Sequence, residues 1–411
     1  MQLEATFPVE SQEAVQPQRN GSDPPEEEPV KELSVDLVQD YESFVGLEAI
    51  WNRLVTESGI DHPFLRHEWI RTWWDCFDHG GTLYIVLVKE GDDLIGIAPL
   101  MLDRGWIYGQ HVRRLRGIAN VYTERFDFIL RHRAKEAFHA IWKFLTSKAD
   151  AWDMVELRQI AEKGWIDALL PLCAFENRFL IGRWHSTEGP YVPITESYDR
   201  FWQSLSGNHR RVVKRRSKRL HLLGEVQHEV VTDSRRLNDV LDEAFYLEAA
   251  AWKGQAGTAI ISRPELTLFY RQFLKRAAER GWLRLHFLSV QGKRIAIEMA
   301  IELHNKLYLL KAGYDPHYKK FTPSILLHEL IFRQAWKLGL SEVEFLGASE
   351  RWKLDWTKRT RSHYFFFVFP NRPWARFVYR LKFALLPRLQ KHAAYRFLRN
   401  GISLGLRVPE E

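Results

Sequence analysis

The chain has 411 residues, 45% of them hydrophobic, with a formal net charge of +7 and two cysteines. That length suits two ordinary domains, each with its own core, and Cys76 and Cys173 alone exclude a disulfide framework or a multi-cysteine metal site. No stretch approaches the roughly 18–20 apolar residues of a spanning helix, so the expected location is reduced and cytoplasmic, and the basic excess points to anionic partners: coenzyme A, nucleotide sugars, a phospholipid surface or RNA.

Residues 1–33 carry eight acids against Arg19 and Lys31, with five prolines, and are expected to be disordered. Leu83–Lys89, the turn Gly91-Asp92-Asp93 and Leu94–Met101 then predict an antiparallel hairpin. A second hairpin of the same layout is predicted about 200 residues later, from Leu283–Val290, Gln291-Gly292-Lys293 and Arg294–Leu303. The repeated layout suggests a duplicated domain, with residues 34–189 and 190–370 as the two units and a boundary at Glu188-Gly189-Pro190. Between the hairpins, seven of the ten residues 210–219 are basic. On a helix Arg211, Lys214, Arg215 and Lys218 share one face. That face is either solvated or meets an anion such as coenzyme A, an acidic substrate or RNA.

In the strand 294–303, alternation sends Ile295, Ile297, Met299, Ile301 and Leu303 to one face and Ala296, Glu298, Ala300 and Glu302 to the other. Glu298 is a candidate general base there, against the plainer reading of a carboxylate in water. Tyr314 and Asp315 end the next strand, where ligands often meet a sheet. A basic loop with Lys319 and Lys320 follows, and Thr322 reads as the N-cap of a helix with Pro323 as its first residue and Gly339 as its stop. A helix start beside two lysines is a natural phosphate seat, or else an ordinary crossover with solvated lysines. After the strand Val343-Glu344-Phe345, Glu350 and Lys353 are spaced to pair on a helical turn. Residues 371–411 form a basic amphipathic tail, striped by Trp374, Phe377, Val378, Leu381, Ala384 and Leu385. The tail suits either an anionic membrane or the parent domain.

The chain has no GxGxxG, GxxxxGK[ST] or HExxH motif, and its 16 histidines are not spaced as metal ligands. Over roughly residues 40–365 it resembles the CelD-like acetyltransferases, double-GNAT proteins of cellulose and exopolysaccharide production, and more distantly the Fem-type aminoacyltransferases. The resemblance rests on an ordered set: His62-Pro63-Phe64, Trp69, Trp73-Trp74 and Gly96-Ile97-Ala98-Pro99-Leu100 in the first half. Leu205-Ser206, Ala251-Trp252-Lys253-Gly254, Tyr314-Asp315-Pro316, Thr322-Pro323-Ser324, Glu350 and Lys353 complete it in the second. The chain departs from the family's frequent Ser-Pro-Gly helix start and from the fuller Gln/Arg-x-x-Gly-x-Gly/Ala loop.

The resemblance implies an α/β fold of two tandem GNAT-like units meeting across a central cleft. It implies acyl transfer from acetyl-CoA or another acyl-CoA to an amine or hydroxyl, in envelope or exopolysaccharide synthesis and without a metal. Glu298 or Asp315 is then the base, with Tyr314, Glu350 and Lys353 on the acceptor side. Lys319, Lys320, Thr322, Ser324, Arg211 and Arg215 hold the donor. Two alternatives stay open: a Fem-like transfer from aminoacyl-tRNA, and a non-catalytic anion-binding scaffold; on any of these readings the protein is peripheral to the inner membrane if the tail binds lipid.

Overall fold

Two-residue turns close both hairpins. The strands β2 (Thr82–Glu90) and β3 (Asp93–Ile107) pair antiparallel with Glu90 opposite Asp93. Their counterparts β9 (Leu283–Val290) and β10 (Lys293–Leu303) turn through Gln291 and Gly292, both at positive φ, the geometry that matches strand twist. The computed structural model describes residues 32–385 except 79, 108–109, 251–256 and 258. The expectations for the acidic segment, for Ala251 to Gly254 and for the tail beyond 385 therefore lie outside the described residues.

The duplication read from the hairpins is present in the order of elements. The first repeat runs β1 (Leu33–Val38), helices α1 (Tyr41–Gly46), α2 (Glu48–Glu57) and α3 (His67–Phe77), then β2, β3 and β4 (Gln110–Gly117). It continues through a short β5 (Ile129–Leu130), α4 (Ala134–Ser147), β6 (Met154–Ala161), α5 (Trp165–Glu176) and β7 (Leu180–Pro193). Two helices, α6 (Tyr198–Ser204) and α7 (Gly207–His221), lead into the second repeat. That repeat holds β8 (Val226–Val231), α8 (Ser234–Ala249), α9 (Pro264–Glu279), β9, β10 and β11 (Lys306–Tyr314). It ends with α10 (Pro323–Lys337), β12 (Glu342–Glu344), α11 (Arg351–Leu354) and β13 (Thr360–Phe369).

All strands join one mixed sheet in the order β1-β2-β3-β4-β6-β13-β7-β12-β11-β10-β9-β8, with β5 on β3. The order is the same read from either edge, and the last strands are exchanged. β13, from the second repeat, pairs with β6 of the first, while β7 pairs with β12 of the second. The division expected at residue 189 thus falls inside β7, whose ladder with β13 ends at Pro190 and whose ladder with β12 begins at Tyr191.

The alternation expected for β10 fails at one residue. Arg294 pairs with Ser289 and Ala296 with Leu288, so Ile295 is a bulge. Ile295 packs with Ala296 and Ala300, whereas Ile297, Met299, Ile301 and Leu303 join the other cluster.

The described part of the tail packs on the protein. Helix α12 (Pro373–Arg380) buries Ala375 and Val378 against Phe367, Phe369, Val112 and Met154. Phe383 lies over Gly182, where a Cβ would meet its ring at 2.0 Å. Phe377 remains 60% exposed, so only part of the expected stripe is covered. Phe383→Ala is expected to cost about 2 kcal/mol by exposing this face, read as a lower thermal midpoint. An unchanged midpoint would show that the docking adds nothing to stability. Among the described residues no helix is long and apolar enough to cross a membrane.

Candidate functional site

The parallel pairing of β11 with β12 is short. It runs from Lys306 opposite Glu342 to Tyr308 opposite Glu344, and then the two chains part. Leu310 has no partner on β10, a bulge that helps turn the strand away. The splay opens a cleft of about 580 Å³, with Leu309 to Tyr314 on one wall and Phe345 to Ala348 on the other. In the first repeat the matching gap is filled. After Arg116 opposite Glu156, Phe126 bridges Ile160 and its ring covers Gly117, where a Cβ would approach to 2.6 Å. The filling segment carries Glu124 into the wall of the second repeat's cleft. The cleft is therefore inside one repeat and completed by the other, not central between them as expected.

Of the residues singled out from sequence, Glu298, Tyr314, Lys319, Thr322, Ser324, Glu350 and Lys353 line this cleft. Asp315, Lys320, Arg211 and Arg215 do not. Asp315 caps the turn Pro316–Phe321 by accepting the His317 N–H at 3.0 Å, and it pairs with Lys293 at 2.8 Å. Burial alone would push its carboxyl up, but hydrogen bonds from Lys293 and His317 hold it at about 2. So low a value makes it a weak base. Lys320 turns its ammonium over the Phe321 ring, 5.1 Å from the centroid. Arg211 and Arg215 are exposed on α7.

Thr322 stands at the N-cap of α10 but does not cap it. Its backbone is left-handed, φ 53° and ψ 56°, and its hydroxyl donates to the Phe321 carbonyl at 2.7 Å. For a β-branched residue this conformation is strained, at a cost of about 1–3 kcal/mol, and such strain gathers at functional sites. Leu346, on the opposite wall, is also left-handed at φ 56°.

Glu298 is 2% exposed, so the solvated reading does not hold. Its carboxylate accepts from His328 Nε2 at 2.8 Å, and the His328 ring stacks on Trp352 at 5.1 Å. The Trp352 indole N–H donates to Glu350 at 2.8 Å. Lys353 is 3.3 Å from Glu350, but its closer partners are the carbonyls of Leu346 at 2.9 Å and Ala348 at 3.1 Å. The pair expected at this spacing thus exists, and Lys353 chiefly ties down the loop after β12.

The sequence reading missed Glu124, His328, Lys311 and Glu248. Glu124 accepts the Gly347 N–H at 3.1 Å across 223 residues of chain. Burial pushes its carboxyl above the ordinary value of 4.5, opposed chiefly by the Lys311 charge. Glu248 reaches the cleft because α8 crosses directly on Gly313: a Cβ there would sit 2.3 Å from the Glu248 Cα. Only a glycine admits that approach. His328 alone had a local signal, one turn into a helix whose start was already marked.

Residues 207–354 match the family described as an acetyltransferase (GNAT) domain. FemX superposes with a TM-score of 0.54 at 13% identity, covering 84% of this chain and 100% of that one. The C-terminal domain of a putative lysylphosphatidylglycerol synthetase from Agrobacterium fabrum gives 0.49 at 12% identity, covering 82% and 96%. A tandem GNAT protein from the clavulanic acid biosynthesis pathway gives 0.42 at 9% identity, covering 82% and 98%. No curated protein matches the chain. At 13% identity the likeness to FemX is one of fold alone.

Proposed function

We propose that the cleft of the second repeat transfers an acyl group from acetyl-CoA or another acyl-CoA to an amine or hydroxyl acceptor. The observation that carries this reading is the splayed β11–β12 pair opening onto the start of α10, within the segment matched to the acetyltransferase domain. The pantetheine arm lies along the apolar walls, and its phosphates meet the α10 start and Lys319. Tyr314 and Ser324 line the donor end. Backbone N–H groups on the bulged β11 wall steady the thioester oxygen as charge develops.

Glu124 takes the acceptor's proton. It lines the cleft and is held by one backbone hydrogen bond, with its carboxyl raised towards the working pH. Glu298 acts through His328, fixing the ring on which Trp352 stacks. The new C–N or C–O bond forms as the C–S bond breaks, and the thiol leaves with a proton. Positioning does the rest. The place in envelope or exopolysaccharide synthesis rests on the CelD-like resemblance alone.

Lys319 and Lys320 separate this reading from a solvated loop. Lys319→Glu is expected to weaken acetyl-CoA binding at least tenfold in calorimetry, as reversing a charge at an anion site does. Lys320→Glu, outside the cleft, should change it little. Equal affinity in the Lys319 variant would remove coenzyme A from this site.

A further inference from the structure

Helix α7 starts cleanly, Ser206 accepting the His209 N–H at 3.1 Å. It buries Val213 and Leu220 against the second repeat. Its remaining surface divides in two. On one side Arg216 donates to the Lys320 carbonyl, and the Arg219 guanidinium lies 6.0 Å over the Phe321 ring. These contacts dock α7 on the turn that carries Lys319 to the cleft. On the other side Arg211, Lys214, Arg215 and Lys218 stand exposed, and Leu222, one turn beyond Lys218, is 78% exposed. The spacing places all five on one stripe, about 16 Å long at 1.5 Å per residue.

Among the described residues none of these four cations makes an ion pair, and none lines the cleft. Like charges one turn apart destabilise a helix by roughly 0.2–0.5 kcal/mol per pair. Among the described residues no carboxylate offsets that cost.

We infer that the α7 stripe is the docking surface for a small acidic helical carrier protein that presents the acyl group as a thioester on a phosphopantetheine arm. The inference rests on the reading of the cleft as a thioester site, since the arm and the thioester are common to both donors. Charge complementarity selects an acidic face. Leu222 and the partly exposed Leu223 select a protein over a nucleic acid. Protein interfaces set an apolar anchor within a charged rim, whereas phosphates have no use for leucine and the stripe has no aromatic ring on which a base could stack.

The test uses the full chain, the triple variant Arg211→Glu/Arg215→Glu/Lys218→Glu, and Leu222→Ser as a milder second variant. Binding of acetylated holo-acyl carrier protein, acetyl-CoA and bulk tRNA is measured by calorimetry at low and moderate salt, with thermal unfolding as the folding control. The expected result is carrier-protein binding by the wild type, weakened by salt and at least tenfold by the triple variant. Leu222→Ser should weaken it less, and acetyl-CoA affinity should stay as in the wild type. Equal loss of both thioesters would overturn the inference by making the stripe a coenzyme A contact. Wild-type binding of tRNA but not of carrier protein, lost in the triple variant, would overturn it in favour of RNA. A wild type that binds acetyl-CoA and ignores the carrier would overturn it alone. A wild type that binds neither thioester would overturn the cleft assignment, and the inference with it.

Discussion

Glu124→Gln is expected to lower turnover by roughly 10²–10⁴-fold, the usual value of general-base help, with acetyl-CoA affinity nearly unchanged. Glutamine keeps an oxygen to accept the Gly347 N–H, so the loop after β12 should hold its place. Stability separates a catalytic role from a structural one. Burial raises the Glu124 carboxyl above 4.5, so the fold disfavours its charged form. That stability is present at low pH and lost as pH rises through the folded value. The neutral glutamine should therefore leave the thermal midpoint at pH 7 unchanged or slightly higher while activity collapses. In the wild type, activity should fall on the acid side through a value above 4.5. Thiol release from acetyl-CoA, followed with a panel of amines, reads both effects. Full turnover in the glutamine variant would move the base to the Glu298–His328 pair, whose own Glu298→Gln variant is expected to be milder because glutamine still accepts from the imidazole.

The largest loss of stability is expected from Glu344→Met. Glu344 is 0% exposed and is held by the guanidiniums of Arg125 and Arg361. Arg125 comes from the same first-repeat segment as Glu124, and Arg361 from β13, while Glu344 ends β12. The cluster therefore joins the filled gap of one repeat to the open cleft of the other. Removing the carboxylate leaves Arg125 buried without its counter-charge, a change that costs about 3–5 kcal/mol. The double variant Arg125→Met/Glu344→Met should recover much of that, because two apolar side chains replace a pair whose desolvation offsets most of its attraction. Arg361 keeps Glu342 as partner at 2.6 Å in both. Denaturant unfolding of the wild type, the two single variants and the double variant measures the coupling. Additive losses would mean that the buried pair is not a unit.

Both predictions involve the segment of Glu124 and Arg125, whose role could not be read locally. The sequence by itself determined the features encoded in neighbouring residues. Gln291-Gly292 turned where both positions accept positive φ. Pro323 opened α10, and Gly339, at φ 66°, stopped it. Ser206 capped the arginine helix, and two hairpins of like layout disclosed the duplication. These depend on dihedral preference and on hydrogen bonds a few residues long, so they are legible in short windows.

Only the tertiary structure decided what depends on a distant partner. Strand parity placed Ile295 with Ile297 until the ladder to β9 bulged. Asp315 looked like a strand-end base until Lys293, 22 residues away, and its own turn claimed it. The exchange of β7 and β13 left no mark in either strand, since both are ordinary half-buried runs. Glu124 became part of the cleft because Phe126 fills a gap at Gly117 and brings the segment across to Gly347. A carboxylate acquires its proton affinity from burial and from the charges around it, and sheet assembly supplies both.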